Sequence, residues 1–193
     1  MLGNVIFEAI EFAARAHKGQ FRKSTKMPYI MHPINVGRIL IESGCSESVV
    51  IAGILHDVVE DTDVSSELVR EKFGEGVAQL VKWCSEPDKL DTWEQRKRHS
   101  LKSLEKAPMD VIHIALADKL DNIQSMRTGI GSEGEEFWAH FNRPRVAQEW
   151  YYRRLLDVFD RRVDVEPGAT LLSVFCSEVE KVFGKIDPNS VLA

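Results

Sequence analysis

Cysteine is scarce in this sequence, and the few cysteines that it has do not form a recognisable pair. The chain of 193 residues contains three, Cys45, Cys84 and Cys176, which are far apart and include no CxxC pair. An odd number of scattered cysteines argues against a disulfide framework, and the missing CxxC pair argues against a zinc ribbon. We therefore expect a protein of a reducing compartment, and the sequence favours the cytoplasm.

Long apolar runs and a basic surplus are also missing. No stretch approaches the roughly 18 apolar residues of a membrane-spanning helix, and the N-terminus lacks the basic and apolar regions of a signal peptide. Lys and Arg total 25 against 30 for Asp and Glu, a net charge of −5, whereas nucleic-acid-binding proteins normally carry a basic surplus. The sequence thus predicts no membrane and no nucleic-acid partner, and no feature indicates a particular oligomeric state.

Apolar residues recur at helical spacing nearly throughout, and no alternating strand pattern of useful length is present. With 44% hydrophobic residues, the chain is long enough for one compact core. We predict an all-α fold with a single domain over residues 1–184 and a C-terminal tail over residues 185–193. Two local predictions concern the site: an unbroken helix from Glu47 to about Glu60, and a mobile glycine-rich connection from Gly129 to Glu135.

The most informative segment is IAGILHDVVEDT, in which an apolar run leads into His56, Asp57, Glu60 and Asp61. Burying such side chains is unfavourable unless they bind something, and a divalent metal is the simplest partner. Glu60 lies four residues after His56, and Asp61 four after Asp57, so each pair shares one side of a helix. A carboxylate beside a metal is well placed to orient or deprotonate water. The alternative, a solvated helix end, is disfavoured by the apolar run.

Two further segments complete a ligand set. His32 stands in YIMHP, and Asp118 stands in the apolar segment ALADKLDN. Taken alone, His32 would more often be a hydrogen-bonded histidine than a ligand, and Asp118 could equally pair with an arginine or bind a metal. With His56 and Asp57 they supply two imidazoles and two carboxylates, a set that suits Mn²⁺ and would also fit Fe²⁺, Co²⁺, Ni²⁺ or Zn²⁺. An octahedral ion would keep two positions for water and a phosphate oxygen, so we expect metal-dependent hydrolysis of a phosphate ester.

Five motifs occur in an order that matches a known family. They are AHKGQFRKS (residues 16–24), PYIMHP (28–33), ILHDVVEDT (54–62), FGEGVA (73–78) and ALADKLDN (115–122). Over about residues 5–128 they resemble the HD-type hydrolase domain of the RelA/SpoT family. The resemblance implies an HD-domain helical bundle. It also implies an enzyme that uses Mn²⁺ to remove pyrophosphate from the 3′ position of guanosine tetra- and pentaphosphate, (p)ppGpp.

The resemblance also implies residue roles. The implied metal ligands are His32, His56, Asp57 and Asp118, the implied water-activating pair is Glu60 and Asp61, and the implied substrate contacts are Arg22, Lys23, Ser24 and Asn122. Arg22 and Lys23 belong to a basic loop in an acidic protein, which suits a polyphosphate substrate, although an ordinary solvated loop is the alternative. Asp121 departs from the family, which commonly has His or Tyr there.

Other interpretations stay open. The same chemistry could act on another nucleotide or phosphomonoester, or the chain could be a sensor that binds a nucleotide without turnover. Glu60 and Asp61 speak against the sensor, because a pure binder needs no water-activating pair. The aromatic segments 137–142 and 150–154 could line the substrate cleft, since rings and arginines suit a nucleotide, or could form ordinary helix interfaces.

Overall fold

The structure, a computed structural model, describes residues 4–22, 26–85 and 91–185. Its N-terminal half contains α1 (Asn4–Ala16), α2 (Met31–Glu42), α3 (Glu47–Leu55), α4 (Val58–Asp61) and α5 (Ser66–Cys84). There follow α6 (Trp93–Leu104), α7 (Met109–Glu133), a 3₁₀ helix (Gly134–His140), α8 (Arg145–Arg162) and α9 (Gly168–Phe183). Apart from one isolated bridge between Phe21 and Pro28, the described ranges contain no strand pairing. The all-α prediction is confirmed, whereas the predicted tail lies outside the described residues from position 186 onward.

Helix α7 forms the centre of the fold and positions half of the site. It packs against α9, α2 and α3. Its buried apolar residues, among them Ile112, Leu116 and Ile123, do not form a single stripe, which is typical of a helix covered on most sides. Polar side chains in the middle of α7 therefore need partners inside the protein.

The predicted unbroken helix from Glu47 to Glu60 is wrong. Helix α3 ends at Leu55, and α4 begins at Val58 after a turn formed by His56 and Asp57. The His56 ring contributes to this break, because its Nδ1 lies 2.7 Å from the carbonyl oxygen of Gly53 and competes for a helical acceptor. The turn directs the side chains of His56 and Asp57 toward one point.

The predicted mobile connection at Gly129 to Glu135 is also wrong, because α7 continues to Glu133. Gly129 lies inside the helix, where a Cβ atom would stand 2.0 Å from a carbon of the Phe137 ring. Its role is to let that ring approach the helix, so the glycine marks close packing and not a loop. Gly134, with a φ of 63°, ends the helix in the left-handed region.

Within the described ranges, no helix combines the length and the apolar character that crossing a bilayer requires. Cys45, Cys84 and Cys176 are all free thiols.

Candidate active site

Four side chains from α2, the α3–α4 turn and α7 converge in the middle of the bundle. His32 Nε2 lies 3.3 Å from Asp118 Oδ1 and 3.6 Å from Asp57 Oδ2. His56 Nε2 lies 3.0 Å from Asp57 Oδ2 and 3.9 Å from Asp118 Oδ1. His32, His56 and Asp118 offer ligand atoms that all lie within 4.8 Å of one another, and Asp57 joins them through its Oδ2. The structure thus brings together the four residues that the sequence predicts as ligands. We call this set of four side chains, which could hold a single ion, the metal cluster.

The cluster fits a divalent ion in its donor atoms and its charge. His56 Nε2 is buried without a hydrogen-bond partner, since the nearby Asp57 oxygen does not approach it with hydrogen-bond geometry. Burial lowers the pKa of His56, but the carboxylates of Asp57 and Asp118 outweigh that effect and raise it to about 9. The carboxylates therefore favour a positive charge beside this nitrogen, which a bound cation would supply while displacing the proton.

Hydrogen bonds behind the cluster orient its imidazoles. His32 Nδ1 lies 2.7 Å from Asp121 Oδ2, and His56 Nδ1 lies 2.7 Å from the Gly53 carbonyl oxygen. With both Nδ1 atoms engaged, both Nε2 atoms point into the cluster, which is how metal-binding histidines are usually held. The neighbouring groups thus fix the tautomer that a metal needs.

Hydrogen bonds also hold the two cluster carboxylates. The Tyr29 hydroxyl donates to Asp57 Oδ2 at 2.5 Å, and burial together with Asp57 raises the pKa of that hydroxyl far above its usual value, so it remains a donor. Asp118 accepts from Lys119 Nζ at 2.6 Å and from Asn122 Nδ2 at 2.5 Å. Burial alone would raise the pKa of Asp118, but Lys119 and the two histidines outweigh it and keep the pKa well below its usual value. Asp118 is therefore held as a carboxylate.

Sequence reasoning missed Tyr29, Lys119 and Asp121 as parts of the site. Asp121 follows Asp118 by three residues on a helix that is covered on most sides, so the two carboxylates share a face. That spacing was a usable signal, because a second aspartate on a buried face requires an internal partner just as the first does. For Tyr29 and Lys119 the sequence offers only their closeness to the predicted ligands.

The metal cluster lies between two cavities. The outer cavity has a volume of about 760 Å³, and its wall includes Arg22, Tyr29, Asp61, Trp93, Asn122 and Phe141. The inner cavity has a volume of about 220 Å³, and its wall includes Glu60, Cys84, His99, Ser100, Ser103 and Ile114. Asp57 and Asp118 border both cavities, as do Arg96, Lys97 and Lys119, so the cluster forms part of the partition between two spaces of different size.

The predicted water-activating pair is divided between these cavities. The half-buried Glu60 borders the inner cavity, whereas the exposed Asp61 borders the outer one. The carbonyl oxygen of Asp61 accepts a hydrogen bond from Gln20 Nε2 at 2.8 Å. The two consecutive carboxylates therefore face different surroundings.

Two of the four predicted substrate contacts lie in the wall of the outer cavity. The Arg22 guanidinium lies 2.6 Å from Asp121 Oδ2 and donates to Asn122 Oδ1 at 3.3 Å. Lys23 and Ser24 lie outside the described residues. Arg22 is thus turned inward toward α7 and is not a freely solvated loop residue.

Of the two aromatic segments after residue 128, one lines the substrate cleft and the other forms a helix interface. Phe137, His140 and Phe141 border the outer cavity, so the first segment lines the cleft. Trp150 instead packs against Trp93, with ring centroids 6.3 Å apart, and against the Arg98 guanidinium, which lies 5.2 Å from the ring. The second segment therefore contributes to a helix interface between α6 and α8.

Comparison with known proteins identifies the family. The model of the HD domain family HD_4 matches residues 9–146. A protein of Drosophila melanogaster named guanosine-3′,5′-bis(diphosphate) 3′-pyrophosphohydrolase MESH1 is 40% identical over 123 residues, which are 62% of this chain and 68% of that protein. An Aquifex aeolicus protein with the same enzyme name is 37% identical over 123 residues, 63% of this chain and only 18% of that protein.

A solved structure gives the same relationship. The structure of a metazoan ortholog of SpoT, described as hydrolysing ppGpp, superimposes with a TM-score of 0.73 at 31% sequence identity. The superposition covers 93% of this chain and 95% of that one. The chain therefore belongs to the HD-domain family of metal-dependent phosphohydrolases, and its relatives within that family are SpoT-like.

Proposed function

We propose that this chain hydrolyses guanosine 3′,5′-bis(diphosphate), and its pentaphosphate form, to GDP or GTP and pyrophosphate. The observation that carries the proposal is the outer cavity, which opens directly on the metal cluster and has the volume of a small-molecule site, roughly 300–1,000 Å³. The names of the MESH1 and SpoT-like relatives support the same substrate.

The lining of the outer cavity suits a nucleotide. Trp93 and Phe141 contribute aromatic side chains to the wall, a residue type that suits a purine, and Arg22 contributes a guanidinium that can stack or pair with phosphate. Asn122 bridges Arg22 and Asp118, so it connects the cationic wall to the cluster. A phosphate held at the cluster would therefore leave its nucleoside in the outer cavity.

In the proposed reaction, a water oxygen joins the phosphorus next to the ribose, and the bond from that phosphorus to the 3′ oxygen breaks. A bound divalent cation would polarise a phosphoryl oxygen and lower the pKa of water. Glu60 accepts the proton of the attacking water, and the departing 3′ oxygen takes a proton from solvent in the outer cavity. Tyr29 and Lys119 keep Asp57 and Asp118 oriented while charge shifts at the phosphorus.

We propose His32, His56, Asp57 and Asp118 as the ligands and Mn²⁺ as the ion, because imidazole nitrogen with carboxylate oxygen suits that metal. Fe²⁺, Co²⁺, Ni²⁺ and Zn²⁺ are the competitors. We also propose a cytoplasmic location, which the three free cysteines support.

The test is a substrate panel with the Mn²⁺-loaded protein. The panel contains ppGpp, pppGpp, a nucleoside 3′-monophosphate and a generic phosphomonoester, and products are separated by anion-exchange chromatography. Formation of GDP and pyrophosphate from ppGpp, abolished by EDTA and restored by Mn²⁺, is the expected result. Faster cleavage of a monoester than of ppGpp would overturn the substrate, and tight ppGpp binding without products would indicate a sensor.

A further inference from the structure

Asp121 connects the two halves of the site through one carboxylate. Its Oδ2 lies 2.7 Å from His32 Nδ1 and 2.6 Å from the Arg22 guanidinium, while its Oδ1 accepts from Asn35 Nδ2 at 2.8 Å. The residue is only 7% exposed and lies on α7, one turn after Asp118. All of these partners are described side chains from the N-terminal part of the chain, whereas Asp121 itself belongs to the central helix.

The contact with His32 affects the metal cluster. A carboxylate that accepts from Nδ1 fixes the imidazole tautomer, turns Nε2 toward the cluster and raises the basicity of that nitrogen. His56 has only a backbone carbonyl in the corresponding position. Asp121 is therefore the one charged support behind an imidazole of the cluster, among the described residues.

The contact with Arg22 affects the substrate side. The guanidinium would otherwise extend from a loop, but the ion pair with Asp121 holds it against α7, where its side chain is 15% exposed. An arginine held in advance loses less conformational entropy when it binds an anion. The same oxygen, Asp121 Oδ2, thus supports a metal-binding imidazole and a cation in the wall of the outer cavity.

We propose that Asp121 is a positioning residue that serves metal binding and nucleotide binding at once. The nucleotide half of this proposal rests on the proposed function, whereas the metal half does not. A single substitution at Asp121 should therefore weaken both Mn²⁺ binding and nucleotide binding. A variant that affects only the metal ligands' support or only the cavity wall should change only one of these two properties.

The experiment compares Asp121→Asn with Asp110→Asn, the same substitution at an exposed position in the first turn of the same helix. Mn²⁺ affinity of the metal-free proteins is measured by titration calorimetry, and KM for ppGpp is measured at saturating Mn²⁺. Asp121→Asn should weaken Mn²⁺ binding about tenfold to a hundredfold, the usual effect of removing an outer partner of a metal-bound histidine, and should also raise KM. Asp110→Asn should change neither.

A double variant separates the two contacts. Arg22→Ala should raise KM, and adding Asp121→Asn to it should raise KM no further, while the loss of Mn²⁺ affinity remains. Unchanged Mn²⁺ affinity in Asp121→Asn would overturn the role behind His32. If the KM increase of the double variant equals the product of the increases in the two single variants, Asp121 does not act through Arg22.

If Asp121→Asn fails to give a cooperative thermal transition, Asn35→Ala replaces it. That substitution removes the bond to Oδ1 and keeps the charge, so both Mn²⁺ affinity and KM should change in the same directions by about threefold. No change in either property would overturn the proposal. A wild-type protein that binds Mn²⁺ but does not cleave ppGpp would instead refute the proposed function, and the metal titrations would still test Asp121.

Discussion

The two cavities beside the metal cluster differ in size and in the acid that faces them. The outer cavity, at about 760 Å³, is large enough for a nucleotide, whereas the inner cavity, at about 220 Å³, lies below the usual range for ligand sites, roughly 300–1,000 Å³. A water molecule, which takes roughly 30 Å³ in the liquid, fits either. Glu60 borders the smaller space and Asp61 the larger one, so two carboxylates that are neighbours in sequence line different cavities.

This difference suggests a direction for the reaction. If the nucleoside leaves into the outer cavity, the attacking water comes from the opposite side, because displacement at phosphorus proceeds roughly in line. Glu60 is then the carboxylate beside the water, and Asp61 is a neighbour of the nucleoside.

The largest effect is expected from His56→Ala, because the cluster serves both cavities. The variant should lose bound Mn²⁺ and all measurable hydrolysis together, since the ion can no longer be held by the remaining ligands at working concentrations. Bound metal is measured by elemental analysis after gel filtration, with circular dichroism to show that the helices remain.

A matched control for this loss is His99→Ala. His99 borders the inner cavity but is exposed and paired with Asp91, so its removal should leave metal binding intact. Asp57→Ala should behave like His56→Ala. A full equivalent of Mn²⁺ in the Asp57→Ala protein would show that the ligand set is wrong.

The next largest effect is expected from Glu60→Gln on the inner side. Its kcat should fall about a hundredfold or more, the usual scale for a general acid–base group, while Mn²⁺ occupancy stays complete. Asp61→Asn should lower kcat much less and act mainly on KM. Steady-state kinetics at saturating Mn²⁺ separate the effect on kcat from the effect on KM. Equal losses of kcat in both variants would show that Glu60 and Asp61 do not have different roles in the two cavities.

The convergence of the four predicted ligands could be anticipated from the sequence, whereas the partners of the side chains that support them could not. His56 and Asp57 follow an apolar run, and an ionisable group in a buried segment is visible without coordinates. Asp121, by contrast, receives its role from His32 and Arg22, which precede it by 89 and 99 residues, so only the tertiary fold pairs them. Along the sequence, its spacing of three residues from Asp118 indicates that it needs an internal partner but does not identify that partner.

The two wrong local predictions have a similar cause. The sequence pattern favours a continuous helix through His56, but the ring bonds to the Gly53 carbonyl oxygen at the break. The glycine-rich segment that begins at Gly129 has the composition of a loop, yet the missing side chain of Gly129 makes room for the Phe137 ring inside a helix. In both cases a specific contact overrides a local preference, and the two contacts shape the turn of the cluster and the wall of the outer cavity.

On the outer side, the largest effect is expected from Arg22→Ala. Charge-assisted hydrogen bonds contribute roughly 1.5–3 kcal/mol, so KM for ppGpp should rise about tenfold to a hundredfold if this residue contacts the nucleotide. KM for a generic phosphomonoester should barely change, and Mn²⁺ should stay bound. Arg15→Ala, on the exposed face of α1, is the control. Equal small changes for both substrates would show that Arg22 does not recognise the nucleotide.

The smallest effect is expected from Arg143→Ala, in the wall of the outer cavity. Its guanidinium donates to both carboxylate oxygens of Glu94 at 2.6 and 3.2 Å, but the two side chains are 39% and 48% exposed. Solvent screens an exposed guanidinium, and Glu94 already pairs with this one, so KM for ppGpp should rise by at most about fivefold and kcat should not change. Arg145→Ala, two residues further along the chain and outside the cavity wall, should leave KM and kcat unchanged. A KM increase as large as that of Arg22→Ala would show that Arg143, and not the arginine held against α7, makes the main contact with the anionic substrate.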